Sequence, residues 1–500
     1  MSWKDDKDLG SWEFSEQPNK WGYLNNPKWS EKTDAQEFSE AVGNPIDPTN
    51  THVPCGHWHK NPNVFGPAPD INIGTTFWYQ QSIDVYDGTI GLVGMTYEGD
   101  GVNDGIVSAI YDVESETWVS WGVVRNMYVI YAEPNTCRIS SKGYMAYYCS
   151  CSDVPYWEVG DTTAPYYMRL YIFEEGEEPR YTDVWSCDWL TSDPYYCWDY
   201  VIYDMMDCIE DRIACLTYVN EVAGVAYNRW VVKTSEDAGL TFPTEYSFPT
   251  LAAWAYEGSY AHKLRMTDDG TIWVVHLVNA ASPPYYVQLW KSTDGGVSFT
   301  KVWERDYSLD STAGRITSFG WDVSDEDGQY QTISIPKDYS VAYDKLFYVS
   351  DDYGATFTTK TYVTTDSYMY TTLVSNGEYI LVLSRDNTPT NHIDFLRSTD
   401  EATSFSFVDL EDYVSGISTS YFDMQKNMNE IVTANCGDPY YTPPDYPESD
   451  DFIGVAYSND GGATWSIIQS PIPNGDTESV TLLPGTVAIE LDEPVVWPMD

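Results

Sequence analysis

Hydrophobic positions in this chain fall in short runs, without the stripe spacing of amphipathic helices. Between about residue 75 and residue 475, apolar stretches rich in β-branched and aromatic side chains alternate with polar breaks containing Gly, Asp and Asn. GTIWVVHLV from Gly270, QYQTISIP from Gln329, GEYILVLS from Gly377 and NEIVTAN from Asn429 are four such stretches. Each is too short for a helix and too apolar for a loop. The pattern predicts β-strands joined by tight turns, and hence an all-β chain.

The turns carry a repeat. SEDAGLTF runs from Ser235 to Phe242, STDGGVSF from Ser292 to Phe299 and SDDYGATF from Ser350 to Phe357; STDEATSF from Ser398 to Phe405 and SNDGGATW from Ser458 to Trp465 follow. Their first residues are 57, 58, 48 and 60 apart. Each copy lies between two strand-like runs, such as RWVVK from Arg229 and TKVW from Thr300, and reads as a hairpin turn. The Asp carboxylate can accept turn N–H groups, Gly permits positive φ, and Ser or Thr hydroxyls tie down further backbone. The closing Phe or Trp is expected to point into the core. In the fourth copy Ala402 stands where the others have Gly239, Gly296, Gly354 and Gly462, which predicts a looser or differently shaped turn there. Tracing backwards, DRIACLTYV from Asp211 precedes the first motif. GYMAYYCS from Gly143 with RLYIFEEGEEPRY from Arg169, and GTIGLVGMTY from Gly88 with SAIYDVESETW from Ser108, form two earlier units without it. The count is seven units of about four strands each.

On these five spaced motifs, about 400 residues of the chain resemble the Asp-box or BNR-repeat β-propellers, which include sialidases, sortilin-type receptors, xyloglucan-cleaving glycosidases and a photosystem assembly factor. The resemblance implies a seven-bladed β-propeller of four-stranded antiparallel sheets over 71–500; the composition of 1–70 reads as an extended N-terminal arm. The resemblance also implies that Ser235, Asp237, Gly239, Ser292, Asp294, Gly296, Ser350, Asp352, Gly354, Ser398, Asp400, Ser458, Asp460 and Gly462 are structural, on the rim away from the ligand face. TVAIELD, from Thr486 to Asp492, reads as a strand able to complete the first blade and so close the ring. The superfamily holds hydrolases, receptors and assembly factors, so fold alone implies no activity.

Charge narrows the partners. There are 77 acidic and 26 basic residues, a formal net charge of −51. Nucleic-acid binding through phosphate neutralisation needs clustered Lys and Arg and is excluded. Self-repulsion at this charge predicts stability that rises with added salt or divalent cations. No apolar window approaches the roughly 20 residues of a membrane helix, so no membrane insertion is expected. The start MSWKDDKDLGSW has charges where a signal peptide needs an apolar core, predicting synthesis in the cytoplasm. The nine Cys then read mainly as buried thiols, with late-forming disulfides as the alternative.

The first 60 residues hold six of the fifteen Lys and a net charge of −4, against −47 for the rest. Trp3, Trp12, Trp21 and Trp29 recur there in a Pro-, Asn- and Ser-rich context without strand or helix period. They are anchors, either onto the chain's own propeller or onto a partner subunit. HVPCGHWH gathers His52, Cys55, His57 and His59, candidate ligands for zinc, although the spacing matches no zinc module and an ordinary loop is the alternative. Calcium would suit the oxygens of Asp445, Glu448, Asp450 and Asp451, but no EF-hand is present and no cofactor is required. Two aromatic, acidic insertions, from Cys187 to Tyr200 and from Asn435 to Asp451, supply Trp189, Tyr195, Tyr196, Trp198, Tyr440, Tyr441 and Tyr446. These are candidate ligand contacts, able to stack on sugar rings; gap-filling between blades is the alternative.

Catalytic signatures are missing. A sialidase needs an Arg triad whose first member usually sits in F/Y-R-I-P; the nearest string is Cys137-Arg138-Ile139-Ser140, and there are only eleven Arg. A phosphate-binding Gly loop, HExxH and G-x-S-x-G are all absent. The reading is a binding or structural propeller, docked to other protein subunits by its arm and recognising a glycan or host surface. A phage tail, fibre or capsid-decorating subunit fits that description, placed on the virion surface if the chain is phage-derived. The alternative is a glycoside hydrolase with a carboxylate pair in the central cleft.

Overall fold

The computed structural model describes the chain from Phe77 to Gln469, apart from connecting segments of which the longest are 153–165, 188–204, 250–261, 409–418 and 438–453. Seven antiparallel sheets follow one another, over 77–125, 128–187, 206–247, 262–306, 320–362, 368–408 and 419–469. They are the blades of a β-propeller. Each takes its strands in chain order, with the first strand innermost and touching the first strands of both neighbours. In blade 2 the inner place is shared by Tyr128–Val129 and Thr136–Ile139, both paired to one edge of Tyr144–Ser152, which makes that sheet five-stranded by count and four-stranded in layout.

The hydrophobic pattern follows from this stacking. A middle strand is covered on both faces by neighbouring blades, so it reads as a continuous apolar run, as in Ile272–Val278, where six of seven residues are buried. An outer strand meets water; Thr300–Asp306 has no buried residue. The core therefore lies in the seams between blades. Trp273, Leu289 and Tyr307 of blade 4 pack against Phe319, Trp321 and Tyr348 at the seam with blade 5. Ile83, Leu92 and Tyr111 of blade 1 pack against Val432, Val455 and Tyr457 of blade 7, which closes the ring. Truncating a seam aromatic such as Trp321, which is fully buried, removes contacts worth about 3–5 kcal/mol.

Topology also sorts the connections. Turns between first and second strands and between third and fourth strands open on one end of the propeller, termed here the motif face. All other connections, together with the chain entry at Phe77 and the exit at Gln469, join strand ends on the opposite, loop face. The run 486–492 lies outside the described residues; blades 1 and 7 each have four consecutive strands without it. Cys137, Cys149, Cys151, Cys208 and Cys215 are buried free thiols. Burial raises Cys137, Cys149, Cys208 and Cys215 well above the ordinary thiol value, which makes them inert.

Candidate functional site

An innermost strand has one unpaired edge, and its N–H groups need acceptors. Side chains of the neighbouring blade supply them. Asp84 of blade 1 accepts Ile139 N–H of blade 2 at 2.7 Å, and Asp207 of blade 3 accepts Met266 N–H of blade 4 at 2.8 Å. Asp322 of blade 5 accepts Ser375 N–H of blade 6 at 2.9 Å, and Asp423 of blade 7 accepts Ile83 N–H of blade 1 at 3.1 Å. In blade 2 Thr136 does the same for Met205 N–H, at 3.1 Å. Every odd blade thus contributes a buried Asp that holds the following blade.

Four buried carboxylates need compensation. Arg138 directly precedes Ile139 and lies 3.4 Å from Asp207. Arg265 directly precedes Met266; its Nε lies 3.2 Å from Asp322, and its Nη2 donates to Gln425 Oε1 of blade 7 at 2.8 Å, across the channel. Lys426 donates to Val323 C=O at 3.0 Å and to Asp325, and lies 3.4 Å from Asp322. Burial opposes its charge, but Asp322 and Asp325 more than offset that and raise its pKa. Asp84 is pushed up to about 7 by burial, against the pull of Arg138. Burial also raises Asp207, partly offset by Arg138 and Arg265. Sequence reasoning singled out Arg138 only as an imperfect sialidase motif and missed the rest, because no motif marks an inner-strand Asp. The visible signal was a charged residue inside short strands such as Met206–Ile209 and Gly320–Val323.

The five motif turns share one geometry. Each Ser hydroxyl donates to its Asp at 2.7–2.9 Å and accepts the N–H four residues on at 2.9–3.0 Å. Each Asp then takes the N–H and hydroxyl of the Ser or Thr four residues later, from Thr241 to Thr464. Bonds to the ionised form hold these acids down: the Ser404 hydroxyl and N–H keep Asp400 at about 2. They remain carboxylates with filled lone pairs, which suits a strut and not an acid catalyst. The closing rings Phe242, Phe299, Phe357, Phe405 and Trp465 pack into the seams. Each turn docks on the preceding blade. Arg180 of blade 2 donates to Ala238 C=O at 2.7 Å, and Arg397 of blade 6 to Gly461 C=O at 2.7 Å.

The expectation of a differently shaped fourth turn is corrected. Ala402 adopts φ +60° and keeps the bond from its N–H to Ser398 at 3.0 Å. The Ser and Asp hydrogen bonds impose the left-handed conformation, and the Ala402 methyl is buried among Phe347, Leu373 and Leu396.

Trp3, Trp12, Trp21 and Trp29, the cluster His52, Cys55, His57 and His59, the aromatic set Trp189, Tyr195, Tyr196, Trp198, Tyr440, Tyr441 and Tyr446, and the acids Asp445, Glu448, Asp450 and Asp451 lie outside the described residues. Among the described residues no group of three His, Cys, Asp or Glu is placed to hold a metal ion.

No family model and no curated protein matches the chain. Solved structures with a similar fold include a protein from Lactobacillus plantarum, 13% identical with a TM-score of 0.44, covering 77% of this chain and 96% of that one. The β-propeller domain of the Trilobed protease from Pyrococcus furiosus is 7% identical, with a TM-score of 0.43 and coverage of 79% and 96%. The GH74 enzyme of Niastella koreensis is 12% identical with a TM-score of 0.41; 78% of this chain matches, spanning 58% of the enzyme's length. At these identities the likeness is one of fold.

Proposed function

We propose that the protein is a non-catalytic binding propeller of the Asp-box type, a virion subunit docked by its N-terminal arm and recognising a glycan or host surface through its loop face. The occupation of the channel acids carries the non-catalytic part. Glycoside hydrolysis needs two carboxylates facing a substrate, about 5–9 Å apart, one of them kept protonated. Asp84 has the raised pKa of an acid catalyst, yet it is buried and its oxygen is spent on Ile139 N–H. Asp207, Asp322 and Asp423 are spent in the same way. Among the described residues these four inner-strand carboxylates join blade to blade.

The recurrent Ser–Asp turns support the Asp-box assignment. The aromatic insertions join strand ends on the loop face, away from those turns, which supports ligand contact there. Four Trp and the shift from net −4 to net −47 support an arm with a separate docking role. The test pairs two assays on the full chain and on a chain starting at residue 71. Incubation with a glycan panel, followed by mass spectrometry, is expected to show binding without cleavage for both. Only the full chain is expected to sediment with large particles. A glycan that disappears over time would establish the hydrolase alternative, and particle binding that survives arm removal would refute arm docking.

A further inference from the structure

Blade 4 carries two histidines at the loop-face end of its seam with blade 3. His262 opens the innermost strand His262–Met266, and His276, on the second strand Ile272–Val278, is its direct register partner. Their Nδ1 atoms lie 2.7 Å apart, a spacing that holds one shared proton: one ring donates and the other accepts. Both residues are buried, and among the described residues His276 Nε2 has no hydrogen-bond partner. The cover comes from blade 3. Trp230 stacks on His262 with ring centroids 3.8 Å apart, and Phe248 meets His276 edge-on at 4.5 Å. The Phe248 N–H donates to Trp230 C=O at 2.9 Å, which ties the two covering rings together.

No neighbouring charge offsets an added proton. Within blade 4, Lys263 points toward the Phe319 ring of blade 5, Arg265 is held by Asp322, and Lys291 lies over Trp273. Glu304 is kept off His276 by Gln288, which donates to it at 2.7 Å, and Asp306 is taken by Ser308. Tyr286 shares the face of Gln288 and, as a phenol, stays neutral in acid. From blade 3, Asp207 accepts Met266 N–H, Lys233 donates to Val184 C=O of blade 2, and Tyr246 turns its hydroxyl to Phe299 C=O. Arg229 is exposed, and Arg212 lies over Gly270 on the motif face. Burial lowers both histidines, His262 also through His276, and no carboxylate acts on either ring. A further proton therefore sets two Nδ1–H groups against each other or leaves an N–H at His276 Nε2 unanswered.

We propose that His262 and His276 form an acid-sensitive latch: at neutral pH they shut the loop-face end of the seam between blades 3 and 4, and on acidification Trp230 and Phe248 lift away and water enters. The sign follows from the two environments. A hydrated imidazole takes a proton near 6.5, whereas the buried pair resists it, so acid favours the form with wet rings. The opening is local. Toward the axis the seam keeps the bond from Met266 N–H to Asp207, and on the motif face Thr234 Oγ1 donates to Gly295 C=O at 2.8 Å; protonating the rings touches neither. With one proton taken up per ring, the open fraction rises by up to about a hundredfold per pH unit.

The experiment is hydrogen–deuterium exchange of the full chain from pH 7 to pH 4.5, read by mass spectrometry, with labelling times scaled to the intrinsic exchange rate at each pH. Peptides covering 213–217, 230–233, 262–266 and 272–276 are expected to lose about tenfold or more in protection by pH 4.5, while 346–349 and 380–383 in blades 5 and 6 keep theirs. H262L/H276L is expected to abolish that acid loss and to keep the protection seen at pH 7. H276Q retains a group able to donate to His262 with one titrating ring fewer, and is expected to show about half the slope against pH; it carries the test if the Leu pair perturbs folding. Equal loss in blades 5 and 6 at the same pH would mean global acid unfolding and overturn the latch. So would unchanged protection of the four peptides at pH 4.5, or parental acid opening in the variants.

Discussion

Asp423 on the innermost strand of blade 7 accepts the Ser82 hydroxyl of blade 1 at 2.8 Å, joining positions 341 residues apart in sequence. The same carboxylate oxygen takes Ile83 N–H, and Ser82 in turn accepts Cys137 N–H of blade 2 at 2.9 Å. At the motif face Glu430 of blade 7 accepts Gly88 N–H of blade 1 at 2.8 Å, and the Tyr457 hydroxyl holds that Glu in place. The ring is therefore closed by side chains and by the apolar seam, without a strand exchanged between the described parts of the two blades.

Removing this clasp should be felt globally. Asp423→Ala strands the Ile83 N–H and the Ser82 hydroxyl in a buried place, at a cost of about 3 kcal/mol in urea unfolding. A chain ending at residue 475 should keep a single cooperative transition. Two transitions after that truncation would show that residues beyond 475 are needed to close the ring.

Channel charges should behave as a coupled set. Arg265→Met removes one of the two buried cations beside Asp322 and the donor to Gln425 Oε1, leaving Lys426 as the cation beside Asp322, and about 3 kcal/mol of stability should be lost. Adding Asp322→Asn should return part of that loss, because the carboxylate that has lost one of its two cations is then neutral. A double-mutant cycle with no coupling would show that Arg265 acts by packing alone.

The motif turns give opposite expectations at equivalent positions. Gly354 has φ +71°, and a Cβ there would meet Leu289 Cδ2 at 2.4 Å. Gly354→Ala should therefore cost about 2 kcal/mol or more, from a left-handed Ala and from overpacking. Ala402→Gly relieves backbone strain but gives up a buried methyl, two terms of about 1 kcal/mol each, so its stability should differ little from the parent. Melting curves of the two variants would test both.

Two buried features should shape the pH dependence, with opposite signs. Asp84 rises from its ordinary 3.8 to about 7, so the folded state holds the proton more tightly than the unfolded state. Its contribution is fully present below pH 3.8 and is lost as pH rises toward 7, by up to about 1.4 kcal/mol per pH unit. Asp84→Asn should gain on the parent between pH 4 and pH 7 and level off above that. His262 and His276 face each other with Nδ1 atoms 2.7 Å apart, packed against Trp230 and Phe248. Burial lowers His276 from 6.5 to about 3, and burial together with His276 lowers His262. Their contribution is present above pH 6.5 and lost as pH falls below it. Replacing both by Leu should flatten the acid limb of a urea-midpoint series, and an unchanged acid limb would show that other groups set it.

The architecture was legible because a propeller repeats. Apolar runs such as Ile272–Val278 announce strands covered on both faces, and Ser–Asp motifs 57, 58, 48 and 60 residues apart mark the same hairpin five times. The shape of the fourth turn was misread, because substituting Ala for Gly was weighed alone, without the Ser398 and Asp400 bonds that hold it. The channel network was not legible. Asp84, Asp207, Asp322 and Asp423 have no common spacing, and each acquires its role from an N–H on a different blade.

The sequence by itself determined the strand order, the number of blades and the turns, because hydrophobic period and turn chemistry act over a few neighbouring residues. Only the tertiary structure decided which charges meet along the axis and how blade 7 joins blade 1. Those outcomes depend on pairs brought together by ring closure across as many as 341 residues, a distance over which local sequence preference carries no information.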